Sequence, residues 1–264
     1  MRIVLTIAGS DPSAGAGIQA DLKTFAAFGV YGVSAVTAIT SQNTTGVSDV
    51  AAVPPEHVRS QIQQLFQDCE ISALKTGMLA TADIVSAVAD TLDSVRHLNV
   101  VVDPVMVSSS GRTLLNSDGV SVLKTRLLPL ATIVTPNVAE AAALSGIAVG
   151  SMDAARDAAR QIASLGPKAV LITGGHMEGP EAVDLLLHDG AFIELAAPRL
   201  AGADVHGTGC TLASAIAAGL ALGDDVPTAV RQAKRYVTAA MEHALTIGRG
   251  ARVPDHFGVY TRKV

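Results

Sequence analysis

The segment from Asp204 to Thr211 has the residue types of an anion-binding site. Its glycines, Gly207 and Gly209, let the backbone turn so that several N–H groups converge, and the alanine-rich run from Leu212 to Leu222 predicts a helix that begins at this turn. Cys210 falls in the first turn of that helix, where the helix dipole is expected to favour the thiolate. A thiolate there would accept a hydroxyl proton, although an ordinary helix start with a small buried thiol has the same residues.

A second glycine-rich segment, Ala8 to Asp21, follows an apolar run that predicts the first strand. Small and turn-forming residues at the carboxyl end of a strand allow close approach of a ligand, which is the usual binding position in α/β sheets. Gly15 and Gly17 are not followed by a third glycine, because Ala20 occupies that position, so a dinucleotide fingerprint is not indicated. A plain strand-to-helix turn, with Asp21 solvated on the helix, explains the segment equally well.

Acidic and amide side chains follow two further predicted strands. Asp103 precedes Pro104, and Asn137 follows Pro136 with Glu140 three residues later. Because the prolines stop the strands, these side chains are expected to project from loops or helix starts. Oxygens near transferred phosphates can hold Mg²⁺ directly or through water. The spacing of Asn137 and Glu140 is also that of a capping box, and the two roles can coexist.

Two other features favour contact with a nucleotide only weakly. The turn from Thr173 to Gly175 ends a predicted strand, and its paired glycines would let a phosphate or ribose lie against the backbone. An ordinary turn accounts for these residues equally well. Lys234 lies on a predicted C-terminal helix and could reach a phosphate, but a lysine on such a helix is usually solvated.

The elements that must position these residues alternate along the chain. Short β-branched runs alternate with longer helical patterns, and runs that are apolar throughout, such as Val100 to Val102, indicate parallel strands covered on both faces. We therefore predict one domain over residues 1–264, with a three-layer α/β fold and a mostly parallel central sheet. Ala182 to Leu187 and Phe192 to Ala196 flank an Asp-Gly turn and predict a late hairpin at the sheet edge. The predicted strands are Arg2–Ala8, Val33–Ala38, Ala73–Thr76, Asn99–Asp103, Thr132–Thr135 and Ala169–Thr173, and the predicted helices are Ile18–Phe28, Glu56–Gln67, Ala82–Ser94, Ala139–Leu144, Met152–Leu165 and Thr208–Leu222.

Composition and charge narrow the class of partner. The chain has 264 residues, of which 49% are hydrophobic, enough to bury a large core. With a net charge of -5 and no dense run of Lys and Arg, the sequence does not indicate a basic surface for nucleic acid or an anionic membrane. No apolar stretch reaches the roughly 20 residues that span a bilayer. Two distant cysteines, Cys69 and Cys210, favour a reducing cytoplasm, and the histidines show no zinc spacing. We expect a small-molecule partner.

Five segments together carry a resemblance to a known family: Leu5–Pro12, Gly15–Phe25, Lys75–Leu79, Asp103–Met106 and His206–Thr211. They resemble the hydroxymethylpyrimidine/phosphomethylpyrimidine kinases of thiamine biosynthesis, in the ribokinase-like superfamily, and the resemblance covers nearly the whole chain in order. It implies a ribokinase-like α/β/α sandwich. It also implies an enzyme that uses ATP and Mg²⁺ to phosphorylate the hydroxymethyl group of 4-amino-5-hydroxymethyl-2-methylpyrimidine and then its monophosphate at one site. A homodimer is implied by the same analogy.

The resemblance implies a role for each candidate site residue. Cys210 stands where wider ribokinase-like kinases carry an aspartate base, and the backbone of Gly207, Thr208 and Gly209 would form the anion hole. The amide of Gln42 matches an amine beside a ring nitrogen. Gln42 is the most discriminating residue, because the related pyridoxal kinases often carry a different side chain there. The resemblance also implies which residues bind the substrate, the metal and the nucleotide. The pyrimidine would contact Gln42, Asp21, Gly9, Met78 and Val105. Mg²⁺ would be held by Asp103 and Glu140, and ATP would contact Asn137, Thr173, Gly175 and Lys234.

One departure from the family pattern and three alternatives stand beside this interpretation. Many relatives carry a lysine before the paired glycines, where this chain has Thr173, so Lys234 would have to supply a phosphate contact. Pyridoxal kinases share most of the motifs but often differ at the position of Gln42. A non-catalytic sensor would bind the pyrimidine without consuming ATP. A cysteine-nucleophile hydrolase would need a histidine base beside Cys210, which no sequence feature indicates.

Overall fold

A mixed nine-stranded sheet forms the centre of the part of the chain that the computed structural model describes, residues 1–95, 98–108, 111–174, 181–200 and 205–258. Its order is β3-β2-β1-β4-β5-β6-β7-β8-β9. The pairs from β2 to β7 are parallel, while β3, β8 and β9 are antiparallel to their neighbours. The strands are β1 (Ile3–Ser10), β2 (Tyr31–Asn43), β3 (Gly46–Ala52), β4 (Ile71–Thr76), β5 (Asn99–Val102), β6 (Ile133–Val134), β7 (Ala169–Ile172), β8 (Glu181–His188) and β9 (Ala191–Pro198).

Helices cover both faces of the sheet, which confirms the predicted three-layer α/β architecture. Val100 and Val102 of β5 pack in one hydrophobic cluster and Val101 packs in the other, so the whole apolar run is buried. One cluster includes α2, α3, α5 and α6, and the other includes α1, α7 and α8. The helices are α1 (Gly17–Ala27), α2 (Pro55–Asp68), α3 (Ala82–Leu92), α4 (Ser117–Val122), α5 (Val138–Ser145), α6 (Met152–Ala163), α7 (Thr208–Leu222) and α8 (Val226–Glu242).

The predicted late hairpin is confirmed at the sheet edge. Strands β8 and β9 pair in antiparallel register and are joined by Asp189 and Gly190, which both have positive φ, 49° and 75°. Two such residues in succession form the turn whose twist matches that of the flanking strands. This edge also brings Asp184 of β8 next to the predicted nucleotide turn.

A second hairpin, formed by β2 and β3, differs from the sequence prediction. Strand β2 is longer than the predicted Val33–Ala38, and β3 and the short helix α4 were not predicted. The side chains of β3 are exposed or half-buried, so the segment lacks the apolar alternation by which a strand is recognised. Its order comes from backbone pairing with β2. The hairpin carries Gln42, the predicted reader of the substrate ring.

Backbone hydrogen bonds join the carboxyl ends of five strands that are neighbours in the sheet, β1, β4, β5, β6 and β7. Gly77 N–H donates to Ile7, and Asp103 N–H donates to Thr76, both at 3.0 Å. On the other side, Thr135 N–H donates to Val102 at 3.0 Å, and Thr173 N–H donates to Pro136 at 2.9 Å. This carboxyl edge is where α/β sheets bind ligands. Among the described residues, every helix is too short or too polar to cross a membrane.

Candidate active site

The two glycine-rich segments predicted from sequence lie against each other. Gly207 has φ of +90°, and a Cβ on it would overlap the carbonyl oxygen of Gly15. Gly17 has φ of +59°, and a Cβ on it would lie 2.5 Å from the carbonyl oxygen of Gly9. Both positions therefore need glycine for conformation and for space. The backbone-to-backbone packing joins the turn after β1 and the start of α7 into one site.

The start of α7 has the properties of an anion-binding site. The helix begins at Thr208, and its N-cap residue, Gly207, has no side chain with which to accept a hydrogen bond from the first-turn amides. Gly209 is exposed, and a Cβ built on it meets no atom of the described residues within 4 Å. The amides of residues 208–210 thus have room for a ligand at the positive end of a 15-residue helix. This agrees with the predicted anion hole.

Cys210 lies between the two glycine turns and the acidic groups of the sheet edge. The Gly17 N–H and the Asp103 carboxylate lie beside its sulfur. Burial, reinforced by the negative charges of Asp103 and Asp21, raises the pKa of the Cys210 thiol to about 12 despite the nearby Lys75. The expectation of a resting thiolate is therefore wrong, because desolvation and two carboxylates outweigh the helix start. Cys210 is a neutral thiol at pH 7.

Asp21 does not read the substrate ring, contrary to the sequence prediction. Its side chain is fully buried and accepts hydrogen bonds from Thr6 Oγ1 at 2.6 Å and Ser214 Oγ at 2.7 Å. The ammonium of Lys75 lies 3.0 and 3.1 Å from its two oxygens. These donors satisfy the carboxylate from beneath the site. Asp21 is the counterion of a buried lysine. A buried charge needs such a partner, and the sequence alone cannot show which residue supplies it.

Lys75 is a site residue that the sequence analysis did not assign. It is fully buried on β4, with Nζ between Asp21 and Asp103, 3.8 Å from Asp103 Oδ2. A lysine directly after the apolar pair Ala73 and Leu74 of a predicted strand was the available signal, because such a charge is buried only with partners. Burial disfavours its charge, but the two carboxylates more than compensate and raise the pKa of Lys75.

Asp103 and Glu140 form a buried acidic pair whose negative charge is not fully compensated by its surroundings. Asp103 Oδ2 is buried and accepts no hydrogen bond from the described residues, and burial raises the pKa of Asp103 to about 6. Burial, with the Asp103 charge, raises the pKa of Glu140 to about 8. A divalent cation would relieve both effects, so the pair fits Mg²⁺. The described residues contain no cluster of three or more His, Cys, Asp or Glu side chains that could hold a metal ion.

Asn137 and Glu140 form the predicted capping box at the start of α5. Asn137 Oδ1 accepts from the Glu140 N–H, and Glu140 Oε2 accepts from the Asn137 N–H, both at 2.9 Å. The other carboxylate oxygen of Glu140 accepts from the Met106 N–H at 3.4 Å. The box therefore holds Glu140 at the same sheet edge as Asp103.

The residues predicted to contact the nucleotide have only part of the expected arrangement. Thr173 pairs with Asn137 across a parallel bridge, so these two predicted residues are neighbours. Lys234 is not a free cation: its Nζ lies 2.8 Å from Asp184 Oδ2, and Asp184 accepts from the Gly174 N–H at 2.9 Å. Lys234 thus braces the nucleotide turn through Asp184, because a half-buried lysine beside a buried carboxylate pairs with it. Gly175 lies outside the described residues.

An open pocket of about 1060 Å³ adjoins the glycine turns on the side of the β2-β3 hairpin. Gln42, the predicted substrate reader, is in its wall, with Oε1 accepting from Thr40 Oγ1 at 3.1 Å and Nε2 2.9 Å from His206 Nε2. Arg112, not predicted, closes the far side and donates to the Ser48 carbonyl at 2.6 Å. The lining residues are Pro12, Thr40, Ser41, Gln42, Asn43, Thr45, Gly46, Val47, Ser48, Gly111 and Arg112.

The predicted apolar walls lie deeper than this pocket. A Cβ on Gly9 would lie 3.1 Å from Met78 Sδ, so these two residues are in contact where β1 and β4 end. The Met78 carbonyl accepts from Thr37 Oγ1 at 2.6 Å, and the residue is buried. Val105 is half-buried just after Asp103. Gly9, Met78 and Val105 are not among the described residues that line the open pocket.

Comparison with known proteins assigns the chain to a family. The phosphomethylpyrimidine kinase family model matches residues 11–255. The hydroxymethylpyrimidine/phosphomethylpyrimidine kinase of Streptomyces coelicolor is 48% identical over 96% of this chain and 94% of that protein. The thiamine biosynthesis bifunctional protein ThiED of Geobacter sulfurreducens is also 48% identical over 96% of this chain, which spans 52% of the length of ThiED.

Solved structures share the fold over nearly the whole chain. The phosphomethylpyrimidine kinase from Clostridium difficile has a TM-score of 0.82 and 43% identity, covering 91% of this chain and 100% of that one. The pyridoxal kinase of Bacillus subtilis, in an ADP complex, has a TM-score of 0.91 and 36% identity, covering 98% of each chain. The fold is common to both kinases, whereas sequence identity is higher to the pyrimidine kinases. The chain belongs to the phosphomethylpyrimidine kinase family and is an ATP-dependent kinase of thiamine biosynthesis, with the ribokinase-like fold that its sequence predicted.

Proposed function

We propose that this chain phosphorylates the hydroxymethyl group of 4-amino-5-hydroxymethyl-2-methylpyrimidine and then phosphorylates the monophosphate, with both steps in the site described above. The proposal rests on family membership and on one observation. The Cys210 thiol, the first-turn amides of α7 and the Asp103 carboxylate meet where the two glycine turns pack together. Phosphoryl transfer needs this combination of a proton acceptor and fixed donors for developing negative charge.

The protonated thiol suggests that Cys210 acts with Asp103. The substrate oxygen would attack the γ-phosphorus of ATP as the bond from that phosphorus to ADP breaks and ADP leaves. The substrate hydroxyl would give its proton to the Cys210 sulfur, and the thiol proton would pass to the Asp103 carboxylate. The position of Cys210 beside the Asp103 carboxylate supports this route. Lys75, beside Asp103, holds that carboxylate in place. The sulfur then needs no resting negative charge, which explains how a thiol with a raised pKa can serve as the base.

The metal and nucleotide sides of the proposal rest on the acidic pair. Glu140 and Asp103 would hold Mg²⁺, with Asp103 acting through water so that its carboxylate can still take the thiol proton, and when bound the ion would neutralise charge on the ATP phosphates. The Asn137 capping box keeps Glu140 at this edge. The turn at Thr173 and Gly174, braced by Asp184 and Lys234, would lie against the nucleotide.

The wider setting is also proposed. We propose that residues 1–264 act as a single kinase domain in the cytoplasm as a homodimer, with the small aminopyrimidine and ATP as partners rather than nucleic acid or membrane. The exposed apolar side chains of Tyr31 and Ile39, each 59% exposed on β2, support a contact between subunits. Sedimentation equilibrium tests the dimer, and a monomer at micromolar concentration would count against it.

A pyridoxal kinase is the second candidate, favoured by the TM-score of 0.91 to the Bacillus subtilis enzyme. The test is product formation from ATP with the aminopyrimidine alcohol and pyridoxal in parallel, followed by mass spectrometry. We expect sequential mono- and diphosphate from the pyrimidine. Cys210→Ala should lose at least about 100-fold in kcat while still binding the pyrimidine, as removal of a general base does. Phosphorylation of pyridoxal alone would support the second candidate, and pyrimidine binding without turnover would indicate a sensor.

A matched control separates the loss of a base from a loss of folding. Cys69→Ala removes the other free cysteine, which lies outside the site at the end of α2. Its turnover and unfolding midpoint should match the wild type. If Cys210→Ala retained wild-type kcat, the assignment of Cys210 as proton acceptor would be wrong.

A further inference from the structure

His206 connects the proposed substrate reader to the glycine turns. It immediately precedes Gly207, and its Nε2 lies 2.9 Å from Gln42 Nε2 and 3.3 Å from Asp11 Oδ2. Its side chain is only 13% exposed, and that of Asp11 is 4% exposed. One ring nitrogen therefore faces both a carboxylate and an amide that lines the pocket.

Asp11 acts here as a fixed acceptor. Its Oδ1 accepts from the Ser13 N–H at 2.9 Å and from Ser13 Oγ at 2.7 Å, and its Oδ2 accepts from the Ala16 N–H at 2.9 Å. All three partners are donors, so the carboxylate is ionised and offers only lone pairs to its surroundings. A ring nitrogen 3.3 Å from Oδ2 is attracted to it only when that nitrogen carries a proton. Asp11 therefore favours a proton on His206 Nε2.

That proton decides which way the Gln42 amide points. With Gln42 Nε2 toward the ring, an N–H would meet another N–H, which is repulsive. A 180° rotation of the amide places Oε1 toward His206 Nε2–H and Nε2 toward Thr40 Oγ1. Thr40 can accept there, because its single proton has an alternative acceptor in the Ser10 carbonyl at 2.9 Å. Every donor in this second arrangement has an acceptor.

We propose that His206 is a positioning residue for substrate selectivity: held by Asp11, it fixes the Gln42 amide with Oε1 toward the imidazole, and so sets the order of donor and acceptor that the pocket offers to the ring. An aminopyrimidine presents an amine donor next to a ring-nitrogen acceptor, and an amide pairs with these two groups in only one orientation. This inference rests on the proposed role of Gln42 and assigns to His206 an effect on substrate binding rather than on the chemical step.

The test is a double-mutant cycle between His206→Leu and Gln42→Ala, with KM and kcat measured for the pyrimidine alcohol and for pyridoxal. We expect His206→Leu to raise the pyrimidine KM about tenfold, the effect of one hydrogen bond, with kcat within about twofold of wild type. The preference for pyrimidine over pyridoxal should fall by the same factor. His206→Gln, which can keep an N–H near the position of Nε2, should retain most of that preference. In the Gln42→Ala background, His206→Leu should cause no further rise in KM.

His57→Leu is the matched control, because it makes the same substitution at a histidine whose side chain is 74% exposed on α2. Its KM values should equal those of the wild type. An equal rise in KM from His206→Leu in both backgrounds, or a fall in kcat alone, would overturn the inference. A raised KM in Gln42→Ala with an unchanged KM in His206→Leu would overturn it while leaving the role of Gln42 intact. An unchanged KM in Gln42→Ala would refute the role of Gln42, and the inference with it.

Discussion

At the scale of single residues, Gly207 shows how the absence of a side chain shapes the site. Its backbone is in a left-handed conformation and lies directly against Gly15. Gly209, two residues later, has ordinary φ and open space at the position of a Cβ. The two glycines of one motif therefore have different reasons to be glycine. Gly207 is required by the fold, whereas Gly209 leaves room for a ligand.

We expect Gly207→Ala and Gly209→Ala to change stability in opposite directions. Gly207→Ala should lower the free energy of unfolding by about 2–4 kcal/mol. Alanine is strained in the left-handed conformation, and its Cβ would overlap the backbone of Gly15. Gly209→Ala should be neutral or stabilise by up to about 1 kcal/mol, because alanine favours the helix. Urea unfolding followed by circular dichroism measures both. Equal losses in the two variants would contradict this account of the glycine turn.

The charged residues beneath the site show a second effect at this scale. A single buried ammonium, Lys75, lies between Asp21 and Asp103. Asp21 is fully hydrogen-bonded, whereas one oxygen of Asp103 accepts no hydrogen bond from the described residues. Two aspartates that share one lysine thus have different tasks. Asp21 neutralises Lys75 within the core, and Asp103 remains available for chemistry.

At the scale of elements, α5 combines a structural cap with the proposed metal site. Its capping box involves both Asn137 and Glu140, while α6 begins at a simpler cap in which Ser151 accepts from the Ala154 N–H. Both caps satisfy first-turn amides. Only the cap of α5 stands at the carboxyl edge of the sheet beside Asp103.

Asn137→Ala and Ser151→Ala should therefore have similar effects on stability and different effects on activity. Each should lower the free energy of unfolding by about 1 kcal/mol, the usual value of an N-cap. Asn137→Ala should also raise the Mg²⁺ concentration for half-maximal turnover several-fold. The Glu140 N–H would lose its acceptor, Asn137 Oδ1, so the capping box would hold Glu140 less firmly. Urea unfolding and a Mg²⁺ titration of turnover provide the two measurements. An unchanged Mg²⁺ requirement in Asn137→Ala would argue against a role for this cap in the metal site.

At the scale of the whole molecule, the segment after α8 joins distant parts of the site. The His206 N–H donates to the Arg252 carbonyl at 2.8 Å, and the Ala251 N–H donates to the Thr44 carbonyl at 2.9 Å. His256 is buried, with Nε2 3.1 Å from Thr211 Oγ1 in the first turn of α7. This segment therefore holds the β2-β3 hairpin and the anion-binding helix in one arrangement.

His256 should make the protein sensitive to acid. Burial, with the nearby charge of Lys23, lowers the pKa of His256 from 6.5 to about 4. Between these values the unfolded chain binds a proton that the folded chain does not, so stability falls as pH drops from about 6.5 toward 4. We expect this histidine to cost about 2 kcal/mol on going from pH 7 to pH 5.

The measurement compares urea unfolding of wild type and His256→Gln at pH 7 and pH 5. The carboxyl groups with raised pKa are common to both proteins, so the difference between them isolates His256. The variant should lose less stability than the wild type over this interval. His243→Gln, at an exposed histidine that ends α8, should follow the wild type. The same pH dependence in wild type and His256→Gln would refute the assignment.

Local pattern in the sequence was enough for the layered fold, for helix α7 from Thr208 to Leu222 and for the hairpin of β8 and β9. These features follow from hydrophobic periodicity and turn chemistry, which act over a few neighbouring residues. The resemblance carried by five segments was enough for the family. The same local logic missed β3, because its side chains do not alternate between core and solvent and its partner strand alone orders it.

Only the tertiary structure decided what the polar residues do. Asp21 became the counterion of Lys75, 54 residues away, and Gln42 met His206, 164 residues away. Cys210 became a neutral thiol because burial and two carboxylates opposed the helix start. The state of a charged or hydrogen-bonding group depends on the partners and the solvent around it in space. Residue type and spacing along the chain determine which groups reach the site, and packing alone determines their partners and protonation.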